Sequence, residues 1–578
     1  MHRRGSPAER LLVALIRPTK YDDDGYPVRH LRGVLPSNSL ACLHALTLDA
    51  ARRRALGTTR IDALLCDESV QKVPWRRFAR AARRRGARTL IALVGVQTSQ
   101  FPRAVDLALR FRQRGCAVLL GGFHVSGSFA MLPELPADLR ALRAAGVTLV
   151  AGEIETAWDA ILRDAATGRL AASYDTLAAR PALASAPVPR LDRRLLRRFV
   201  HRGLGTLETS RGCPFACSFC TVINVQGRTM RARDPEMIGD ALLENFRTLG
   251  TTDYFFTDDD FARNPRWHEV LDVLCRVRRK HGIPLRFLMQ ADLAAHRLPG
   301  FVEGVRQAGC FQVFLGMESL DSENLADAGK RQNRTGDYAA VVERWRRAGI
   351  LTHVGYIVGF PHDTADRVRA AVIRLREDIR PDLASFFMWT PLPGSRDHRD
   401  LVARGTPLDA DWNRYDTFHA VLDHPRMTRA EWQAAYADAW RLFYAPTAMQ
   451  RRLADVAPDL RITLLQLWLW YRSAIELEGA HPMITGLGRL TPRRDRRRGC
   501  VIEGRAAHAA RRFREVGVAL AGTGRLLGEL HALWTAAEQR RGSSSWPRFL
   551  RAMLCQTRGG GRPIAQATAP TIANATQA

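Results

Sequence analysis

Lysine is nearly missing from this chain of 578 residues, which carries it only at Lys20, Lys72, Lys280 and Lys330. Arginine supplies all the rest of the 87 lysine and arginine residues behind the formal net charge of +29. That excess runs from Arg3 to Arg562, with short clusters at Arg52-Arg53-Arg54, Arg83-Arg84-Arg85 and Arg493-Arg494. Spread in this way it predicts solvated faces, not the single basic stripe of a nucleic-acid-binding protein. Long apolar runs are lacking too. A membrane-spanning helix needs about 18–20 apolar residues, and the nearest stretch, Ile462 to Ala474, is shorter and runs straight into charge. It predicts a buried helix and no membrane span. Ten cysteines are too few for a disulfide scaffold at this length, and the charged start from Met1 to Leu11 does not read as a signal peptide. The expected location is a reducing cytoplasm. There is no internal repeat of solenoid type. A hydrophobic content of 46% with 25% charged residues is that of a globular protein.

What is present falls into two series of strands. LLVALI (11–16), IDALLC (61–66), TLIALVGV (89–96), AVLLGG (117–122) and VTLVAG (147–152) are short, continuously apolar and separated by amphipathic stretches. The first of these stretches, Ser39 to Arg53, has Ser39 as its expected cap, and the second is arginine-rich and ends at Ala82. Such strands predict a parallel sheet covered on both faces, an α/β doubly wound domain of Rossmann type over 1–176. The Ala/Pro-rich stretch after it predicts a linker over 177–204. A second series follows: TLETS (206–210), DYFFT (253–257), RFLMQ (286–290), QVFLG (312–316), HVGYIVG (353–359) and ASFFMW (384–389). Six βα units predict a partial, open TIM-like barrel over 205–416, whose chemistry belongs at the C-terminal strand ends. A helical region (417–554) and a disordered tail (555–578) complete the expected organisation.

The segment Ser210-Arg211-Gly212-Cys213-Pro214-Phe215-Ala216-Cys217-Ser218-Phe219-Cys220 stands at the end of the first barrel strand. Three thiolates spaced by three and then two residues can wrap one corner of an iron–sulfur cube from a single loop. Gly212 frees the approach, and Pro214 discourages a helix that would splay the sulfurs. Structural zinc requires four ligands, and no neighbouring Cys or His completes a tetrahedron. Cys42, Cys66, Cys116, Cys275 and Cys310 read as buried apolar cysteines. An electron carrier would need four cysteines per cluster. Three leave one iron open to a small molecule.

This pattern, C-x3-C-x-aromatic-C with Phe219 as the aromatic, resembles that of the radical S-adenosylmethionine (radical SAM) superfamily. The resemblance implies a 4Fe–4S cluster held by Cys213, Cys217 and Cys220. S-adenosylmethionine would bind the open iron, and an external one-electron reductant would drive its cleavage to a 5′-deoxyadenosyl radical. Further matches extend over about 205–395: Phe255 to Phe261, with Asp260 where Asn is frequent; Gly316-Met317-Glu318-Ser319; Gly355 to Pro361; and Thr390 to Ser395. They imply S-adenosylmethionine contacts at Phe219, Asp258, Gln290, Glu318, Ser319 and Gly359. The alternatives are structural: Asp258 to Asp260 as helix caps, Glu318 in a surface ion pair with Lys330 or Arg331, and Gly355 and Gly359 for close packing. Asp292, beside Gln290, is a further candidate for cofactor or substrate contact.

The N-terminal domain resembles the cobalamin-binding domain of one branch of that superfamily, through Leu119-Leu120-Gly121-Gly122-Phe123-His124 and Ala151-Gly152-Glu153-Ile154-Glu155. The resemblance implies cobalamin near Ser99, Gly121 and Gly122 and, with it, methyl transfer. The D-x-H-x-x-G motif that supplies a lower histidine ligand is absent, and His124 reads as structural. Without cobalamin, rearrangement or another group transfer stays open, as does RNA modification, although no added RNA-binding domain is recognisable. No second cysteine cluster follows Cys220. The substrate, a small or lipid-like molecule, is not legible.

Overall fold

The computed structural model describes residues 9–81, 86–201 and 203–539. The expected tail, Cys555, the end of the helix at Ala82 and the Arg83–Arg85 cluster lie outside them. Six parallel strands form the first sheet, in the order Arg60–Asp67, Arg10–Arg17, Ala87–Leu93, Ala117–Gly121, Thr148–Ala151, Ser173–Asp175. Alternate side chains of one strand go to opposite faces: Leu11, Val13 and Leu15 enter one core, Ala14 and Ile16 the other. Burial on both faces is why these strands read as unbroken apolar runs. The strand order reverses between Arg10–Arg17 and Ala87–Leu93, and in such sheets ligands bind outside the carboxyl ends at that reversal. The helix between the first and second strands of this sheet spans Asn38–Arg52, and its cap is Ser37, which accepts from the Leu40 N–H, not Ser39.

The second sheet is also parallel, in the order Leu204–Leu207, Asp253–Phe256, Arg286–Ala291, Cys310–Glu318, Leu351–Val358, Leu383–Met388. It curves into an open six-stranded barrel. The first expected strand stops short: Glu208 and Thr209 leave the ladder, and Ser210–Arg211 pairs antiparallel with Arg231–Ala232 instead.

The region after Thr417 is not a separate unit. Its helices Arg429–Phe443 and Arg461–Ser473 bury Trp432, Trp440, Phe443, Leu464 and Trp468 in the barrel's own core. The buried helix expected from Ile462 is the second of these, and no helix among the described residues is long and apolar enough to cross a membrane. Farther on, Gly486–Arg489 pairs antiparallel with His30–Gly33. Asp495 meets buried Arg29 (3.1 Å) and Arg103 (3.2 Å) of the N-terminal sheet layer. The C-terminal region thus straps the two sheets together.

A second strap has a pH dependence. Lys20 pairs with Asp416, and His419 lies between Asp23 (3.4 Å) and Asp416 (2.9 Å). Hydrogen bonds to Asp23 and then to Asp416 hold the His419 imidazole up at about 9. A group raised on folding contributes fully below its unfolded pKa, about 6.5, and loses its contribution as pH climbs through 9. Thermal melts from pH 6 to 10 should show a loss on the order of 1–2 kcal/mol across that window. In His419→Gln this component of the pH dependence should vanish.

Candidate active site

The antiparallel pair Ser210–Arg211 and Arg231–Ala232 closes a loop that carries all three cysteines. Gly212 turns into it at φ +102°, where a Cβ would stand 2.5 Å from the Thr229 carbonyl, so only glycine fits. The loop is pinned at several points. The Cys213 N–H donates to Gly227 O (3.2 Å), the Ser218 N–H to Ala328 O (2.9 Å), and the Asp397 N–H to Ser218 O (3.1 Å). Cys217 is buried, Cys213 and Cys220 are half-buried, and all three are free thiols. Burial pushes the Cys213 thiol up to about 12 and that of Cys220 up to about 11. Thiolates in this loop therefore need a positive partner of their own.

The donor set suits an iron–sulfur cluster better than a bare ion. Among the described residues no three Cys, His, Asp or Glu side chains converge around one ion site. A cubic cluster asks for the wider arrangement, since each thiolate binds a different iron. Cys275 is half-buried on a helix and Cys310 is buried at the start of a strand; neither adjoins the loop in sequence.

The three aspartates do not cap the next helix. Asp258 is fully buried and accepts from the Thr209 N–H (3.0 Å), the Thr209 hydroxyl and the Ser210 hydroxyl (2.7 Å). Asp259 accepts from the Gly212 N–H (3.3 Å), and Asp260 from the Asp292 N–H (3.3 Å). Asp258 and Asp259 fasten the second strand end to the segment that enters the cysteine loop, and Asp260 ties it to the third strand end. Burial raises Asp258 to about 6 and Asp259 to about 7. Asp292 is held by Arg263 (2.7 and 2.9 Å), whereas Gln290 donates to Asp258 O (3.1 Å) and lines the central cavity.

Glu318 ends the fourth strand at a bulge with φ +67°, a conformation rare for a side-chain-bearing residue. Its carboxylate pairs with Lys330, but not at the surface: both are largely buried, and the ammonium lies 5.8 Å over the Phe219 ring. Lys330 also offsets part of the burial that raises the Cys217 thiol. Composition alone held a hint here, since one of four lysines sits between two strand-end motifs. The Ser319 hydroxyl accepts from the Asp321 N–H (3.0 Å). Gly359, at φ +95°, makes room for the Trp432 indole: an added Cβ would stand 2.0 Å from its Nε1. Gly355 makes room for Phe314 in the same way (2.8 Å). Packing accounts for both glycines.

Sequence patterns gave no signal for the seam between the sheets. Arg211, one residue before the loop glycine, donates to Glu208 through both Nε and Nη2 (2.9 Å each), and to Glu153 (2.7 Å) and Glu155 (2.6 Å) across the seam. Arg233 joins at Glu208 (2.6 Å) and Arg231 at Glu153 (3.0 Å). Three arginines balance three glutamates out of water. Burial pushes Glu208 up, but Arg211 and Arg233 outweigh it and hold the carboxyl at about 2. The glutamates of the Ala151-to-Glu155 motif thus anchor the loop that carries the cysteines.

Between the sheets lies a cavity of about 1700 Å³. Arg17, Thr19, Gln97 and Ser99, from the two strand ends that flank the reversal in the first sheet, line it together with Phe255 and Gln290 of the barrel. Gly121 and Gly122 pack against protein instead: a Cβ on Gly122 would lie 2.1 Å from the Val96 nitrogen and one on Gly121 3.2 Å from the Val150 carbonyl. His124 is fully buried, stacked on Phe101 (4.1 Å) and edge-on to Trp412 (5.1 Å). Burial pushes it down to about 3, and it serves the core.

An open βα barrel with a three-cysteine loop at its first strand end defines the class: an iron–sulfur barrel enzyme. Residues 207–374 match the family model of the Radical SAM superfamily, so the barrel is a radical SAM domain. Enzymes of this superfamily use a 4Fe–4S cluster and S-adenosylmethionine and need an external reductant. The chain is 24% identical over 389 residues to bacteriochlorophyllide d C-12(1)-methyltransferase of Chlorobaculum tepidum, covering 66% of this chain and 78% of that relative. Its fold resembles the radical S-adenosylmethionine methyltransferase TsrM from Kitasatospora setae (TM-score 0.55, 19% identity, 75% of this chain and 89% of that one). It also resembles the cobalamin-dependent S-adenosylmethionine radical enzyme OxsB, solved with aqua-cobalamin (TM-score 0.55, 13% identity, 95% and 84%).

Proposed function

We propose that this radical SAM enzyme is a cobalamin-dependent methyltransferase that acts on a small or lipid-like molecule, not on nucleic acid, in the reducing cytoplasm. One observation carries the reading. The carboxyl ends at the reversal point of the N-terminal sheet and the inner face of the barrel line the same cavity, so a group bound at the first would meet a substrate held by the second. The name of the Chlorobaculum relative, a methyltransferase, and the aqua-cobalamin in the OxsB structure support it.

Cobalamin, when bound, would supply a cobalt centre able to carry a methyl group. Ser99 and Gln97 would face it with hydroxyl and amide, and Gly121 and Gly122 would lie at the neighbouring strand end. With His124 turned into the core, no imidazole of that motif reaches toward the cavity. Cys213, Cys217 and Cys220 would hold the cluster, and Arg211 would position their loop. Phe219, Asp258, Gln290, Ser319 and Gly359 would frame the S-adenosylmethionine site, Asp258 through the strand end it fastens and Gly359 through its backbone. Glu318 would accept hydrogen bonds from the ribose hydroxyls beside its ion pair with Lys330.

Two measurements test this. Purified anaerobically with hydroxocobalamin, the chain should retain about one corrinoid through gel filtration, read from its absorbance; no retention would refute the cobalamin assignment. Glu318→Gln should weaken S-adenosylmethionine binding by roughly 10- to 100-fold, the worth of hydrogen bonds to a charged acceptor. An unchanged dissociation constant in equilibrium dialysis would remove Glu318 from the site.

A further inference from the structure

The cavity runs deep into the barrel interior. From Gln290 it runs along the inner face of the barrel to Gln312, His353 and Ser385 in the N-terminal halves of their strands. Its volume of about 1700 Å³ is shared between the reversal-point end proposed for the corrinoid and the barrel interior, and so exceeds the roughly 300–1,000 Å³ of one ordinary small-molecule site. Its walls are largely apolar, with Phe255, Leu288, Phe314 and Phe387 from the barrel and Leu467 and Trp470 from the C-terminal helices.

The charges on those walls are already matched. Arg17 meets Asp67 (3.2 Å), Lys20 meets Asp416, and Asp253 faces both Arg286 (3.9 Å) and His201 (3.8 Å). His30 is taken by Glu478 (2.7 Å). A ligand bringing a net charge inside would find no free countercharge and would pay its full desolvation cost.

The floor is polar but neutral. The Gln312 amide bonds His353 Nδ1 (3.1 Å), and His353 Nε2 meets the Ser385 hydroxyl (2.9 Å) and the Tyr471 hydroxyl (3.4 Å). Burial holds both His353 and His481 down at about 3, so neither carries charge. Of the cavity's buried polar atoms without a partner, which include Thr463 Oγ1 and His30 Nδ1 on its walls, two lie on this floor. Gln312 Oε1 has no partner, and if the amide were turned over its nitrogen would be the free atom. His481 Nδ1 accepts from the Met483 N–H (3.2 Å), which puts the proton on Nε2, and that atom also has no partner. Its ring is fixed by stacking on Phe387 (5.1 Å). Both side chains are more than nine-tenths buried. Buried polar groups without partners are uncommon in native proteins and call for a ligand.

We propose that the cavity binds a large, uncharged, mainly apolar substrate, whose hydroxyl or carbonyl end is held on the barrel floor by Gln312 and His481. This rests on the proposed function in taking the cavity as the enzyme's substrate site. The length of the cavity then sets where reaction occurs: the carbon to be modified lies remote from the polar group, toward the end lined by Gln290, Gln97 and Ser99. Amino acids, nucleotides and nucleic acids are excluded by their charge.

The test is a binding measurement on the full chain, purified anaerobically with its iron. The neutral fluorophore N-phenyl-1-naphthylamine should bind at one saturable site. Cholesterol or 1-octadecanol should displace it, the sulfate ester of the same alcohol should not, and L-tryptophan should not. The parent hydrocarbon should displace about five- to tenfold more weakly than the alcohol, the worth of one or two hydrogen bonds. Gln312→Leu should lower that preference, leaving only what His481 supplies, and Leu288→Trp should abolish dye binding while iron content is retained. If Leu288→Trp loses its iron, Gln312→Leu decides alone. Failure of the dye to bind, failure of both alcohols, equal displacement by alcohol and sulfate, or a preference unchanged in Gln312→Leu would each overturn the proposal. The readout involves no methyl transfer. Correct binding without any methylated product would sink the methyltransferase reading alone, and methylation with the wrong binding pattern would sink only this one.

Discussion

Cys217→Ala is expected to leave the chain folded and without iron. The wild-type protein, reconstituted with iron and sulfide under anaerobic conditions, should carry about four irons per chain and the broad brown absorbance of a cluster. The variant should carry less than about one and form no 5′-deoxyadenosine above background. Two features make the effect this large. The loop supplies three thiolates and no fourth, so no spare ligand can take over. The neighbouring carboxylates are committed elsewhere, Asp258 to Thr209 and Ser210 and Asp259 to the Gly212 N–H. Cys213→Ala and Cys220→Ala should behave alike. Cys310→Ala is the control: that thiol is buried at the start of a barrel strand, bonded to the Gln312 carbonyl, and its loss should leave iron content unchanged.

The second large effect is expected at Arg211. Arg211→Met removes one cation from a buried set of three arginines and three glutamates and leaves Glu208, Glu153 and Glu155 partly uncompensated. Breaking one member of such a network costs roughly 3–5 kcal/mol, which should lower the melting temperature by several degrees. Because Arg211 lies one residue from the loop glycine and two from Cys213, cluster retention after gel filtration should fall as well. Adding Glu155→Gln, whose carboxylate pairs with Arg211, removes the one excess negative charge and should restore part of the stability. If the single variant melts with the wild type, the seam is a solvated salt bridge and does not weld the two sheets.

Both effects centre on a segment whose ligands were readable and whose supports were not. Three cysteines at that spacing are local information, as are strands such as Leu11–Ile16 and His353–Gly359, whose apolar runs follow from burial on both faces. Arg211 and Glu208 offered no local pattern, and Glu153, though part of a strand-end motif, could not be read as an anchor of the loop, because a buried network is assembled from distant parts of the chain. The pairing of His30–Gly33 with Gly486–Arg489 escaped notice for the same reason, and because these four-residue strands contain arginine and exposed leucine. Gly359 shows the limit of motif reading: its freedom from a side chain is explained by Trp432, far along in a helix whose role could not be read from its own residues. Glu318 was legible as a strand-end carboxylate, but burial of its ion pair with Lys330 required the fold.

The account depends most on an iron that the protein leaves without a ligand of its own. The direct measurement is to reconstitute the full chain anaerobically, reduce it with dithionite in the presence of S-adenosylmethionine, and quantify 5′-deoxyadenosine by chromatography. Its formation in wild type and its absence in Cys213→Ala, Cys217→Ala and Cys220→Ala are predicted. A chain that binds its full complement of iron yet leaves S-adenosylmethionine intact and its cluster spectrum unmoved would contradict the account.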